Sequence, residues 1–181
     1  MFQRLKPKNL REEIGTWSEW KKHVVACMGE FVGTFLFLWI ALAGTSFANM
    51  PQTSASGNSN VTNASNVLYS ALAFGFSLTV NAWIFFRVSG GLFNPAITFG
   101  LALTGIVPWF RGLLLVITQF FAAIVASYVV KVMFSSPFSA ETLLRNGTTV
   151  VQGVFIEALM TFQLLLAIFM LAAEKSKVCM Y

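Results

Sequence analysis

Four stretches of this sequence are each long and apolar enough to cross a bilayer, which limits the fold more than any other feature. A helix needs about 20 mostly apolar residues to span roughly 30 Å of hydrocarbon. Val24 to Ala48 is one such run, with Glu30 as its single charge, and Val67 to Phe86 is a second, without charge. Gly112 to Val130 is a third, again uncharged, and Val151 to Ala173 is a fourth, carrying Glu157. Pro108 and Trp109 stand just ahead of the third run, where a first-turn proline and an interfacial aromatic fit. Between the second and third lies Leu92 to Val107, apolar but too short to span, which suggests a buried or re-entrant segment.

Composition agrees with a membrane chain and excludes other classes. Of the 181 residues, 56% are hydrophobic and only 10% charged, whereas soluble domains run near about 25% charged. Nineteen Phe and few charges are the opposite of a disordered composition. With only Cys27 and Cys179, a disulfide scaffold is ruled out, and both are expected to be reduced thiols. The net charge of +5 suggests nucleic acid until its location is read. Arg4, Lys6, Lys8, Arg11, Lys21 and Lys22 crowd into the first 22 positions, a membrane-flank pattern, so the expected partner is the lipid bilayer and no nucleic acid.

The distribution of Lys and Arg predicts four spans with both termini in the cytoplasm. The 49–66 loop has no charge, the 87–111 connection carries Arg87 and Arg111, and the C-terminal tail carries Lys175 and Lys177. Three acceptor sequons, at Asn60, Asn63 and Asn146, fall in the two loops assigned outside and are candidate glycosylation sites. A cleaved signal peptide is the competing reading of residues 1–48, but the apolar run exceeds the usual ~7–15 residues and more spans follow. Leu10, Ile14 and Trp17 stand at helical spacing in the tail, which is either a short helix on the inner leaflet or a solvated tail. The expected location is a multi-pass integral membrane protein of the plasma membrane rather than an internal membrane.

The short segment poses a physical problem, because a helix end inside the membrane leaves backbone groups that protein or water must satisfy. Ser89-Gly90-Gly91 allows a sharp turn, Pro95 suits a first helical position, and Asn94 before it is a good N-cap or points into a cavity. The first amides of such a helix carry partial positive charge near the midplane, which repels cations beside a water path. An ordinary cytoplasmic loop with a capped amphipathic helix is the alternative for the same residues.

Ser89-Gly90-Gly91-Leu92-Phe93-Asn94-Pro95-Ala96 resembles the first Asn-Pro-Ala signature of the aquaporin, or major intrinsic protein, family. Gly29-Glu30-Phe31-Val32-Gly33-Thr34 resembles the family's first helix, Phe74-Gly75-Phe76 its second, Gln119 a helix-three position, and Glu157 with Thr161 the start of helix four. The likeness runs from about residue 24 to 174. It implies an all-α membrane protein, an aquaporin-like helical bundle that is incomplete, with four transmembrane helices plus one re-entrant half-helix. It implies a water-selective channel assembled as a homotetramer, with water as permeant and small neutral solutes as further candidates. Asn94, Pro95 and Ala96 then line the pore, Asn94 donating its side-chain amide to water, and Phe74 takes the place of an aromatic of the outer selectivity filter. By the same resemblance Glu30, Glu157 and Gln119 support the half-helix loops structurally.

Glu30 and Glu157 are the only acids inside the spans, and each needs a partner, since a charge at the bilayer centre costs about 2.5–3.5 kcal/mol or more. Neither has a histidine or second carboxylate nearby in sequence for a proton relay. Gly29 and Gly33 form a small-xxx-small pair suited to close helix packing or a subunit contact. His23 sits in the basic flank and reads as a solvated interfacial residue. The sequence has no metal-ligand cluster, phosphate-binding glycine loop or nucleophile–base pair, so neither cofactor nor enzyme activity is expected.

Glu30-xxx-Thr34-Phe35 and Glu157-xxx-Thr161-Phe162 share one spacing, and residues 29–38 match 156–165 at four of ten positions, an offset of 127. Inverted repeats of this kind build transporters and channels from two opposed halves. The expected organisation is a cytoplasmic tail at 1–23, a first repeat at 24–134, an extracellular loop at 135–150, the first helix of a second repeat at 151–174, and a tail at 175–181. A second Asn-Pro-Ala with its arginine, and fifth and sixth spans, do not occur in these residues. These residues alone are therefore expected not to conduct. They read either as a truncated piece of a water channel or as a non-conducting isoform that assembles with and regulates full-length subunits.

Overall fold

A computed structural model of the chain describes residues 17–50, 64–134, 140, 143–144 and 147–173. The described residues form five α-helices: α1 (Trp17–Ala48), α2 (Ala64–Phe85), α3 (Pro95–Leu103), α4 (Trp109–Met133) and α5 (Val150–Ile168), the last continued by a π-helical turn over Phe169–Ala173. All but α3 are long and apolar enough to cross a membrane. The four apolar runs thus reappear as four spanning helices. α1 begins ahead of its apolar run, so its first turns carry the charged pair Lys21 and Lys22. Of the tail residues at helical spacing, Leu10 and Ile14 lie outside the described residues, and Trp17 opens α1. The sequons at Asn60, Asn63 and Asn146 and the thiol of Cys179 also lie outside them.

Contacts along the helices fix their directions. Pairs 29 with 88, 33 with 85, and 44 with 73 run in opposite order, so α2 is antiparallel to α1. His23 meets Phe110, Glu30 meets Gln119, and Trp39 meets Met133, so α4 runs parallel to α1. Two facing stripes hold that pair together: Ala26, Glu30, Thr34 and Ala41 on α1, and Leu115, Gln119, Ala122, Ala126 and Val130 on α4, all buried. Spacings of three, four and seven keep each set on one helical face, and the Ala positions let the two backbones approach closely.

Sequence chemistry sets the helix limits. Pro108, with an extended ψ of 139°, precedes α4, and Thr149 opens α5 in a reciprocal capping box with Gln152. α3 is shorter than the apolar run that contains it, because Leu92 and Phe93 belong to the entry loop and Thr104–Val107 to the exit turn. That exit uses Gly105 at φ 77°. Ala26, Leu92, Ile97, Leu101 and Leu115 form a core cluster against which Leu164, Leu165, Ile168 and Phe169 of the fourth span pack. Among the described residues, α5 packs on this cluster through its last turns, with Leu165 over Gly100 of α3. Its earlier residues, including Val151, Phe155 and Leu159, stay largely exposed.

Gly29 and Gly33 pack within the chain. A Cβ on Gly29 would meet Val88 and Ser89 at 3.0–3.1 Å, and one on Gly33 would overlap the Phe93 ring. Gly75 of α2, in contrast, has open space within 4 Å of a built Cβ. Gly33→Leu is accordingly expected to destabilise the fold by about 1–3 kcal/mol through overpacking. Gly75→Ala is expected to be neutral or stabilising by up to ~1 kcal/mol. Unfolding midpoints in a mixed-micelle titration check the contrast, and equal effects at the two sites would contradict the packing described.

Candidate functional site

The entry loop of α3 is built from backbone angles that ordinary residues avoid. Gly90 at φ 107° and Gly91 at φ 64° turn the chain, and Phe93 adopts φ 49° although it is not glycine. A residue held in the left-handed region persists only where its surroundings fix it. Here the Phe93 ring is pinned against Gly33 and edge-on to Phe85, with centroids 6.1 Å apart. Gly91 also lies close to the backbone of α2, where a built Cβ would stand 3.2 Å from the Ala82 carbonyl oxygen.

Glu30 holds this loop from α1. Its carboxylate is fully buried and accepts four hydrogen bonds. The Ser89 hydroxyl donates to Oε1 at 2.7 Å and the Leu92 amide at 3.0 Å. The Phe93 amide donates to Oε2 at 2.8 Å, as does Nε2 of Gln119 on α4 at 2.8 Å. A carboxylate offers about four lone-pair positions, so this one is saturated. The ordering matters energetically, because a buried carboxylate without donors loses its hydration uncompensated, while a saturated one organises everything that donates to it.

The network continues into the half-helix. Gln119 Nε2 also donates to Thr98 Oγ1 at 3.0 Å, and the Thr98 hydroxyl donates to the Asn94 carbonyl at 3.0 Å. Asn94 is the N-cap of α3, at φ −142° and ψ 121°, and its Oδ1 accepts from the Ala96 amide at 2.9 Å. With Oδ1 committed to the cap, Nδ2 is the part of the side chain left to donate. It has no hydrogen-bond partner among the described residues, and Asn94 is half-buried. Pro95 at the first helical position leaves no amide to satisfy there.

The direction of α3 follows from its neighbours. Phe93 lies against Gly33, Thr98 reaches Gln119, and Ala102 lies beside Gly112 near the start of α4. The half-helix thus starts midway along α1 and α4 and runs back to the end it came from. Gly33 stands about 15 Å along α1 from His23, about half the thickness of a bilayer core. The first amides of α3 and the Asn94 side chain are therefore near mid-depth.

Of the residues singled out by sequence, the structure brings Glu30, Gln119, Asn94, Pro95 and Ala96 together. Phe74 lies on α2 nearer the opposite end than Phe85, 37% exposed, with its ring edge-on to Phe37 at 6.1 Å. Glu157 is exposed on α5 and accepts no hydrogen bond among the described residues, so the structure does not join it to this site. Two hydroxyls complete the network: Thr98, which no periodic pattern in the sequence marks, and Ser89, whose place in the sequence marks only the turn it opens. A signal was present in their positions, Ser89 just before the Gly-Gly turn and Thr98 one turn after Asn94.

Removing Glu30 leaves several neutral buried donors unpaired at once, so Glu30→Ala is expected to cost more than the ~1–3 kcal/mol of one such donor. Gln119→Leu, which withdraws one of the four donors, is expected to cost about 1–3 kcal/mol. Unfolding free energies of the two variants and their combination measure both terms. A double variant as destabilised as the sum of the singles would contradict a direct Glu30–Gln119 bond.

Comparison with known proteins identifies the family. The sequence model of the family described as Major intrinsic protein matches residues 15–180. Aquaporin-7 of Botryotinia fuckeliana is 46% identical over 174 residues, covering 94% of this chain and 38% of the relative. "Probable aquaporin-3" of Gibberella zeae is 50% identical over 161 residues, covering 88% of this chain and 56% of the relative. Aquaporin-2 of Botryotinia fuckeliana is 50% identical over 163 residues, covering 87% and 42%. The chain thus spans between about two fifths and just over half of the length of these curated relatives. The match takes in every residue of the Glu30 network and the whole of α3, and the chain belongs to the major intrinsic protein family.

Proposed function

We propose that these residues form one half of a passive channel for water, in which Asn94 presents its amide to a permeating oxygen. The observation that carries this reading is the cap of α3. Asn94 Oδ1 is held by Ala96 N, which turns Nδ2 into a fixed neutral donor at mid-depth. A neutral donor beside the positive end of a half-helix favours an uncharged molecule with an acceptor oxygen and repels a cation or a proton. The family membership and the names of the relatives support the same assignment. No step in this function is chemical, so the protein acts as a channel and not as an enzyme.

Phe74 supports the finer reading of a water-selective type, because a bulky aromatic near the pore mouth narrows it against larger solutes such as small neutral polyols. Glu157 has in α5 the sequence place that Glu30 has in α1, and its exposed carboxylate suits a second entry loop seated as the first is on Glu30. Gathering of Lys21, Lys22, Arg87 and Arg111 at one end favours that end as cytoplasmic, in the plasma membrane. The sequons then fall on the outside. A homotetramer with a pore in each subunit is the assembly this reading carries.

One half-helix supplies one side of a pore, so residues 1–181 by themselves are not expected to conduct. Stopped-flow swelling of proteoliposomes tests this in two arms. Residues 1–181 alone should swell at the lipid baseline. Residues 1–181 fused to the remaining C-terminal part of the Gibberella zeae relative should swell several-fold faster, and lose most of that gain with Asn94→Val. Fast swelling by residues 1–181 alone would overturn the half-pore reading. A fusion that folds yet stays at baseline would overturn the assignment to water.

A further inference from the structure

We propose that the basic end of the bundle is a binding surface for anionic phospholipid headgroups, centred on Lys21, Lys22 and Arg111. The inference concerns the lipid at that end and stands whether or not the pore passes water.

The surface starts from an aromatic belt. The rings of Trp20, His23 and Phe110 meet edge to face, with centroids 5.5 Å apart for His23 and Phe110, 6.1 Å for Trp20 and Phe110, and 6.3 Å for Trp20 and His23. Trp109, next in the chain, is 57% exposed and edge-on to Phe99 of α3. Indole rings, apolar in body and polar at the N–H, settle at the boundary between hydrocarbon and headgroups. The belt thus marks the depth of that boundary on both α1 and α4.

The cations stand at the same depth. Lys21 and Lys22 follow Trp20 directly and are exposed, and Arg111 follows Phe110 and is half-buried. Because Phe110 touches both Trp20 and His23, two helices bring their basic residues to the same end of the bundle. Lysine and arginine at such a depth can lay their aliphatic stems on apolar surface and keep their charge at the phosphate layer. The exposed Arg87, where α2 ends, adds a fourth charge at this end. At the opposite end Lys131, in the last turn of α4, is the one basic residue among the described residues of the four long helices. Upstream, the sequence supplies Arg4, Lys6, Lys8 and Arg11 against Glu12, Glu13 and Glu19.

A clustered positive charge at phosphate depth distinguishes monoanionic from zwitterionic headgroups, because only the former adds net attraction. The gain is at most roughly fivefold per basic residue and fades within a Debye length as salt rises. A soluble polyanion such as nucleic acid fits less well, since the flanking rings and helices place these cations at the membrane surface and not on a solvated face.

The test is electron paramagnetic resonance of the full 181-residue chain in phosphatidylcholine vesicles, comparing spin-labelled phosphatidylserine with spin-labelled phosphatidylcholine. The expected result is a relative association constant roughly threefold or more in favour of phosphatidylserine at low salt. It should fall towards one in 0.5 M sodium chloride, to judge from a Debye length of about 4 Å. It should also fall in Lys21→Gln/Lys22→Gln/Arg111→Gln, and persist in Lys131→Gln. Equal association of the two lipids with the unmodified chain would overturn the proposal, even if the triple variant fails to fold. So would a preference that survives the triple substitution, or one abolished by an added single-stranded oligonucleotide that itself binds the vesicle-bound chain.

Discussion

The structure depends on one buried carboxylate. A helix that begins inside the hydrocarbon must have its entry loop paired by protein, since lipid offers neither donor nor acceptor. Glu30 meets that demand from one side, collecting the Leu92 and Phe93 amides, the Ser89 hydroxyl and the Gln119 amide on its two oxygens. In return those donors replace the water that a buried charge has lost. Each side makes the other tolerable. The strained Phe93, the Gly-Gly turn and the capped Asn94 all follow from where that carboxylate holds the chain.

Packing and polarity act together at this point. The glycines at positions 29 and 33 are needed because the loop lies directly on α1, and Glu30 sits between them to bind what they admit. Gln119 links the same carboxylate to α4 and, through Thr98, to the carbonyl of Asn94. The positioning of the proposed water-binding amide is thus shared among three helices. A loop fixed at so many points suits a channel, in which a donor must keep its place while molecules pass it.

Much of this was legible in the sequence, for physical reasons. The spans were, because a bilayer sets a length and forbids charge, and the four runs from Val24, Val67, Gly112 and Val151 stand out on those grounds alone. The half-helix was legible because a short apolar run opened by Ser-Gly-Gly and Asn-Pro has few other solutions in a membrane. Glu30 and Gln119 were named from family resemblance, and the structure supplies the bonds. Thr98 and the bonding role of the Ser89 hydroxyl escaped because a single hydroxyl has no periodic signature, and the left-handed angle at Phe93 escaped because tertiary contacts impose it. Glu157 shows the converse case. Its sequence matches Glu30 in spacing, yet α5 packs on the core cluster and Gly100 through its last turns, so the carboxylate remains outside the network of the described residues.

Hydrogen exchange at two backbone amides tests the central claim most directly. In the unmodified chain, Leu92 and Phe93 should exchange as slowly as amides inside α1, although they lie in a loop outside any helix. In Glu30→Gln, which keeps the shape and removes the charge, both should exchange far faster, while amides of α5 near Glu157 stay as they were. Fast exchange at Leu92 and Phe93 in the unmodified chain, or slow exchange that persists without the Glu30 charge, would contradict the account.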